Sequence, residues 1–202
     1  LPGVELALKS LAQAGYKLIV VTNQSGIARG LLTEETLEKI HAEIRRQLSM
    51  HNAHVDAIYY CPDHPEGTGE QYACDSDLRK PQPGMLLQAA REHDIDLEAS
   101  WMVGDSARDV EAGQRAACRT IRVRVRTERA HGPGEGEGDE DAEADFTVRN
   151  LVDAARVILR SPREQAPGGA TRRAAKAAPD AVRTVAARDS VASETGEPAP
   201  AE

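Results

Sequence analysis

The sequence predicts an α/β fold, a parallel sheet covered by helices on both faces. Three observations point there. Short β-branched runs alternate with segments of helical apolar spacing, as strand–helix–strand units require. The first of those runs is short and β-branched, as suits a strand buried on both sides. Polar residues able to do chemistry follow the runs directly, at the carboxyl ends where such sheets collect their sites.

The elements follow in order. VELALKSLAQAG (4–15) has helical spacing and ends on Gly15, a residue suited to the turn past a helix C-terminus. KLIVVT (17–22) is the first strand. LLTEETLEKIHAEIRRQLSM is a helix with Thr33 as N-cap and Thr36 where a capping box prefers Glu. AIYY (57–60) is a strand, and residues 83–93 form a helix opened by Pro83. SWMVGD (100–105) is a strand, ARDVEAGQRAA a helix, and RTIRVRV (119–125) a strand. An acidic Gly-rich loop (GPGEGEGDEDAEAD) then leads to FTV and a last helix, NLVDAARVILR.

Residues 1–160 are thus expected to form one domain. Residues 161–202 hold almost no large apolar side chain and are expected to be a disordered tail rich in Ala, Pro, Arg and Glu, because they cannot bury enough surface to offset ordering entropy. The net charge of −8 argues against a nucleic-acid partner, the small cluster Arg172, Arg173 and Lys176 notwithstanding. No apolar run reaches membrane-spanning length, and the start lacks signal-peptide character. Three cysteines suggest no disulfide framework, so a reducing cytoplasm is expected. A monomer is the default for a compact fold with no sizeable apolar patch.

Three loops carry chemistry. In VVTNQSGIARG a hydroxyl and amides directly after a strand can offer donors to an anion, although the same residues suit a simple turn. Gly26 and Gly30 suit turn geometry, and Arg29 reads equally as a phosphate contact or a surface charge. In LRKPQPGM, Arg79 offers a planar fork for phosphate oxygens and Lys80 a compact charge, with solvated surface charge as the competing reading. In VGDSARDVEAG, Asp105 follows a strand where a carboxylate can help bind Mg²⁺, or serve as an N-cap. Asp109, one helical turn on, suits both a functional role and the helix dipole.

TNQSGIARG, a Cys-Pro/His-Pro loop with a later Cys, RKPQPGM and MVGDSARDVEAG, in this order, resemble the haloacid-dehalogenase-like phosphatases, and within them the branch acting on heptose bisphosphates. The resemblance covers residues 1–127 and, more faintly, the stretch to Arg160. It implies a Rossmann-like three-layer α/β/α architecture. It implies that Thr22 and Lys80 stabilise a transferring phosphoryl group, that Asn23, Gln24, Ser25 and Arg79 contact a phosphosugar substrate, and that Asp105 binds Mg²⁺. The reaction implied is phosphoryl transfer to an aspartate, followed by hydrolysis. Histidinol-phosphate phosphatases share the metal loop and Arg-Lys-Pro. Polynucleotide-end phosphatases share the Thr-Asn-Gln segment, but the acidic composition weighs against them.

The family's nucleophile and acid/base lie in an Asp-x-Asp at the end of a first strand. Neither Asp75-Ser-Asp77 nor Asp94-Ile-Asp96 follows a buried strand. The chain begins at Leu1, just before a helix, and is expected to be a fragment lacking that strand; a catalytically dead binding protein is the alternative. Relatives with zinc carry Cys-x-His and Cys-x-Cys in the loop at 61–80. Here Cys61 and Cys74 keep two places, Asp63 and His64 crowd the third, and Ser76 takes the fourth. A weakened Zn²⁺ site on Cys61, Asp63 or His64, Cys74 and Asp77 competes with a plain pair of thiols. Cys118 is expected to pack.

Overall fold

The structure is a computed structural model and describes residues 3–68, 71–124 and 142–161. The tail at 162–202 and most of the acidic loop lie outside the described residues, so the expectation of disorder there does not meet them.

Helix α1 (Val4–Gln13) buries Ala7 and Leu11 and ends at Gly15, whose φ of 82° is the left-handed conformation expected of it. Strand β1 (Ile19–Asn23) is followed by a one-turn helix, α2 (Ser25–Ala28), where the sequence reads as a turn. Helix α3 (Glu34–Met50) starts as expected: Thr33 Oγ1 accepts the Thr36 backbone N–H at 3.2 Å. Strand β2 (Ala57–Cys61), helix α4 (Gly84–His93), strand β3 (Trp101–Gly104), helix α5 (Ala107–Arg115) and strand β4 (Arg119–Val123) alternate as predicted. Strand β5 (Phe146–Val148) and helix α6 (Leu151–Arg160), capped by Asn150, complete the set.

All strand pairings are parallel, but the ladder is interrupted. β1 pairs with β2, and β3 with β4 and then β5, in two separate sheets. The two are halves of one layer, because alternate residues of β1 and β3 face the same two clusters. Leu18, Val20 and Val103 join Ile121 and the inner faces of α1 and α6: Ala7, Leu11, Ala154, Ala155 and Ile158. Val21 and Met102 face the opposite way, toward Ala116, Cys118, Leu86 and Leu97. Helices therefore lie on both faces, α1 and α6 on one, α4 and α5 on the other. That is the predicted three-layer α/β/α arrangement, with an open seam between β1 and β3.

The seam has a defined hydrogen-bonding face. Gln24 N–H donates to Cys61 O at 2.8 Å, which turns the even-numbered groups of β1 toward β2. Arg119 N–H donates to Ser100 O at 3.1 Å and does the same for β3 toward β4. The backbone groups of Ile19, Val21 and Asn23, and of Trp101 and Val103, therefore point into the seam. Among the described residues, no helix is long and apolar enough to cross a membrane.

Candidate active site

The carboxyl ends of β1 and β3 flank the seam, and Lys80 joins them. Asn23, the last residue of β1, holds the Lys80 backbone at both ends. Its Nδ2 donates to Lys80 O and its Oδ1 accepts from Lys80 N–H, each at 3.0 Å. The Lys80 side chain then enters the seam, where Nζ donates to Val21 O at 2.8 Å. The same ammonium lies 2.6 Å from Asp109 Oδ1, with the two side chains only 13% and 8% exposed. The Lys80–Pro81 peptide is cis.

Asp109 faces Lys80 with Oδ1 and takes its hydrogen bonds through Oδ2. Its Oδ2 accepts from the backbone N–H groups of Asp105 and Ser106, both at 3.2 Å, and from Ser106 Oγ at 2.9 Å. Ser106 in turn caps α5 through Asp109 N–H, a complete capping box. Burial alone would raise the Asp109 pKa. Burial is the largest single influence, but the Lys80 charge and the hydrogen bonds from Lys80 and Ser106 together overcome it and hold the carboxyl below its ordinary value. Gly104 is required here, since a Cβ would fall 2.2 Å from that of Asp109.

The N-cap of α5 is thus Ser106, not Asp105, and the reading of Asp105 as a cap is corrected. Asp105 stands exposed just beyond β3. It offers one hard oxygen donor, which fits part of a Mg²⁺ shell that keeps several waters but does not complete one. Among the described residues no group of three His, Cys, Asp or Glu is arranged to hold a metal ion.

Thr22 lies one residue inside the end of β1, and its Oγ1 accepts from Gln24 Nε2 at 3.2 Å. Thr22, Asn23, Gln24 and Ser25 all sit half-buried where β1 gives way to α2. Arg79 is half-buried beside them, its Nη1 donating to Asp63 O at 3.0 Å. Five of the six predicted substrate contacts thereby share one loop cluster with Lys80, through the Asn23–Lys80 backbone bonds and the Arg79–Lys80 peptide.

The zinc candidates are differently disposed. Cys61 is fully buried, its Sγ 3.7 Å from Asp63 Oδ2, and burial pushes its thiol pKa up. His64 has both ring nitrogens engaged, Nδ1 accepting from Glu66 N–H at 3.0 Å and Nε2 lying 3.4 Å from Arg29 Nη2. Cys74 is exposed. Of the candidate ligands, Asp63 lies against Cys61 while His64 is turned to Arg29, and among the described residues they form no group of three arranged to hold a metal ion. Cys118 packs in the core as expected, its thiol pushed up to about 11 by burial.

The sequence allows Asp109 a functional role but does not show its partner. Its Ser-x-x-Asp capping pattern was readable, but its pairing with Lys80 spans two loops and leaves no local trace.

Comparison with known proteins fits this geometry. The HAD-hydrolase-like family pattern matches residues 77–154. D-glycero-beta-D-manno-heptose-1,7-bisphosphate 7-phosphatase of Photorhabdus laumondii is 48% identical over 118 residues, 58% of this chain and 63% of that protein. The protein of that name from Escherichia coli K12 is 46% identical over 114 residues, 56% of this chain and 60% of that protein. Among solved structures, the D,D-heptose 1,7-bisphosphate phosphatase from B. bronchiseptica, complexed with magnesium and phosphate, aligns with a TM-score of 0.64 and 34% identity. It covers 79% of this chain and 83% of that one.

The chain belongs to the haloacid-dehalogenase-like hydrolase family. It spans about three fifths of the curated relatives it matches. The aligned fold confirms the architecture implied by TNQSGIARG and RKPQPGM. Haloacid-dehalogenase-like topology thus accounts for both half-sheets and for the clustering of Thr22, Lys80 and Asp105 at the carboxyl ends of β1 and β3.

Proposed function

We propose that this chain carries the phosphoryl-binding part of a Mg²⁺-dependent phosphoric monoester hydrolase, acting on the 7-phosphate of D-glycero-D-manno-heptose 1,7-bisphosphate. The observation that carries the reading is Lys80. A nearly buried ammonium, held in the seam by Asn23 and Asp109, sits where β1 and β3 end. A phosphoryl group in flight spreads negative charge over its equatorial oxygens, and a fixed cation with a nearby hydroxyl is what that charge needs. Lys80 supplies the cation and Thr22 the hydroxyl. Asn23 positions the Lys80 backbone, and Gln24, Ser25 and Arg79 are left to orient the sugar phosphate.

Mg²⁺, with Asp105 as one ligand, would neutralise phosphate oxygens during transfer. The attacking carboxylate would come from a strand ending in Asp-x-Asp and filling the seam, into which the backbone N–H groups of Ile19, Val21 and Val103 point. For the 202 residues by themselves, the interrupted ladder favours a second reading, binding of a phosphosugar without turnover. A cytoplasmic monomer with free thiols suits either reading.

The test is phosphate release by the chain preceded by such a strand. Heptose 1,7-bisphosphate is expected to be hydrolysed at least tenfold faster than histidinol phosphate or a DNA 3′-phosphate. Equal rates on all three would remove the heptose assignment, and a histidinol phosphate preference would replace it.

A further inference from the structure

Lys80 sits at the tip of a closed loop. At its neck Gly84 N–H donates to Asp77 O at 2.9 Å, and within it Gln82 N–H donates to Arg79 O at 2.8 Å. Asn23 takes both backbone groups of Lys80. Pro81 has no N–H, so its carbonyl is the one backbone polar group it offers. That carbonyl is taken by Arg115, whose Nη1 donates to Pro81 O at 3.0 Å.

Arg115 acts from a firm base. Helix α5 packs on β3 and β4 and buries Ala107, Val110, Ala112 and Gly113. The same guanidinium gives Nη2 to Glu111 Oε2 at 2.8 Å, one turn back on α5, which fixes the plane of its fork. Asp109 in the first turn of α5 meets the Lys80 ammonium, and Arg115 in its last turn meets the carbonyl of the next residue. Those positions lie about 9 Å apart along the axis, so one helix holds the lysine unit at both ends. The Arg115 side chain is 43% exposed, so replacing it opens no cavity in the core.

We propose that Arg115, oriented by Glu111, is a positioning residue for Lys80: by fixing the Pro81 carbonyl it sets where the ammonium meets a phosphoryl group. The inference rests on the phosphatase reading and adds a residue that acts through Lys80 and not on the substrate. Asn23 fixes the lysine backbone from β1, Asp109 fixes its charge, and Arg115 fixes the chain just beyond it. A cation carried on a loop needs such anchoring, since stabilisation of a transferring group depends on donors already in place.

The test uses the full chain, with inorganic phosphate titrated by calorimetry and amide hydrogen exchange followed by NMR. In Arg115→Met, phosphate affinity is expected to fall about tenfold, the scale of one charge-assisted hydrogen bond. The Lys80 amide should exchange about tenfold faster, while the amides of β4 keep their rates. Arg115→Lys, which keeps a cationic donor, should restore most of both, and Glu111→Gln should show a smaller loss of both. Thermal unfolding shows that each variant has folded. Lost affinity with unchanged Lys80 exchange would make Arg115 a distant charge and overturn the positioning role. Faster exchange with unchanged affinity, or no change in either, also overturns it. Phosphate binding that Lys80→Gln abolishes and Arg115→Met leaves intact removes this inference alone. Binding indifferent to Lys80→Gln, or no binding, removes the phosphatase reading with it, and Thr22→Val replaces Lys80→Gln in that comparison should the latter not fold.

Discussion

Lys80 answers to two carbonyl and carboxylate partners, and its removal would strand one of them. Asp109 is 6% exposed, and without Lys80 its charge would be buried with only neutral donors. Lys80→Met is therefore expected to destabilise the fold by about 3 kcal/mol at neutral pH, as loss of one partner from a buried pair does. Urea unfolding reads this directly. The pH dependence gives a sharper signature. The folded Asp109 pKa is depressed, so its contribution is fully present above the ordinary carboxylate range and is lost as pH falls through the depressed value. In the variant, burial without the counter-charge raises that pKa, and protonation relieves the penalty. The stability gap between the two proteins should narrow as pH falls below about 5. Parallel stability curves from pH 7 to pH 3 would show that Lys80 and Asp109 are not coupled. None of this pairing is local: the sequence displays a Lys before Pro and an Asp in a helical first turn, each with an ordinary surface explanation.

Strands β1 and β3 each present one edge to the seam, and the edges differ from the paired sides in a measurable way. The amides of Ile19, Val21 and Val103 point into the seam, those of Val20, Thr22 and Met102 toward β2 or β4. Hydrogen exchange should be faster for the first set by at least tenfold, since those groups lack a ladder bond. Uniform protection along β1 would mean that the seam is closed. Elements of this kind were largely legible, because β-branched runs and capped helices leave local marks: the run before Thr22, whose strand is half-buried and not the fully buried one expected, Thr33 ahead of α3, and Gly15 after α1. Helix α2 was not, since Ser-Gly-Ile-Ala is too short to show periodicity and contains a turn residue. The loop at 61–80 was legible only in part. Spacing placed His64 beside the cysteines, but a guanidinium on another loop claims its ring.

At the scale of the whole molecule, the described residues form two half-sheets of a family architecture with an open seam between them. The halves share clusters on both faces, so packing of helices rather than strand pairing holds the layer together across the seam. The motifs around the seam were recognisable as a set by their order along the chain, while the Lys80–Asp109 pair emerges only when the loops converge. The central proposition is that a strand filling this seam brings a carboxylate against Lys80 and so turns a binding site into a hydrolase. It is tested most directly by joining to Leu1 an apolar strand and loop ending in Asp-x-Asp, and a matched segment ending in Asn-x-Asn, and measuring phosphate release from heptose 1,7-bisphosphate with Mg²⁺. Turnover is expected only with the aspartates, and its loss when Lys80 is also replaced by Met. Release by the unextended chain, or at equal rates from the aspartate and asparagine forms, would contradict it.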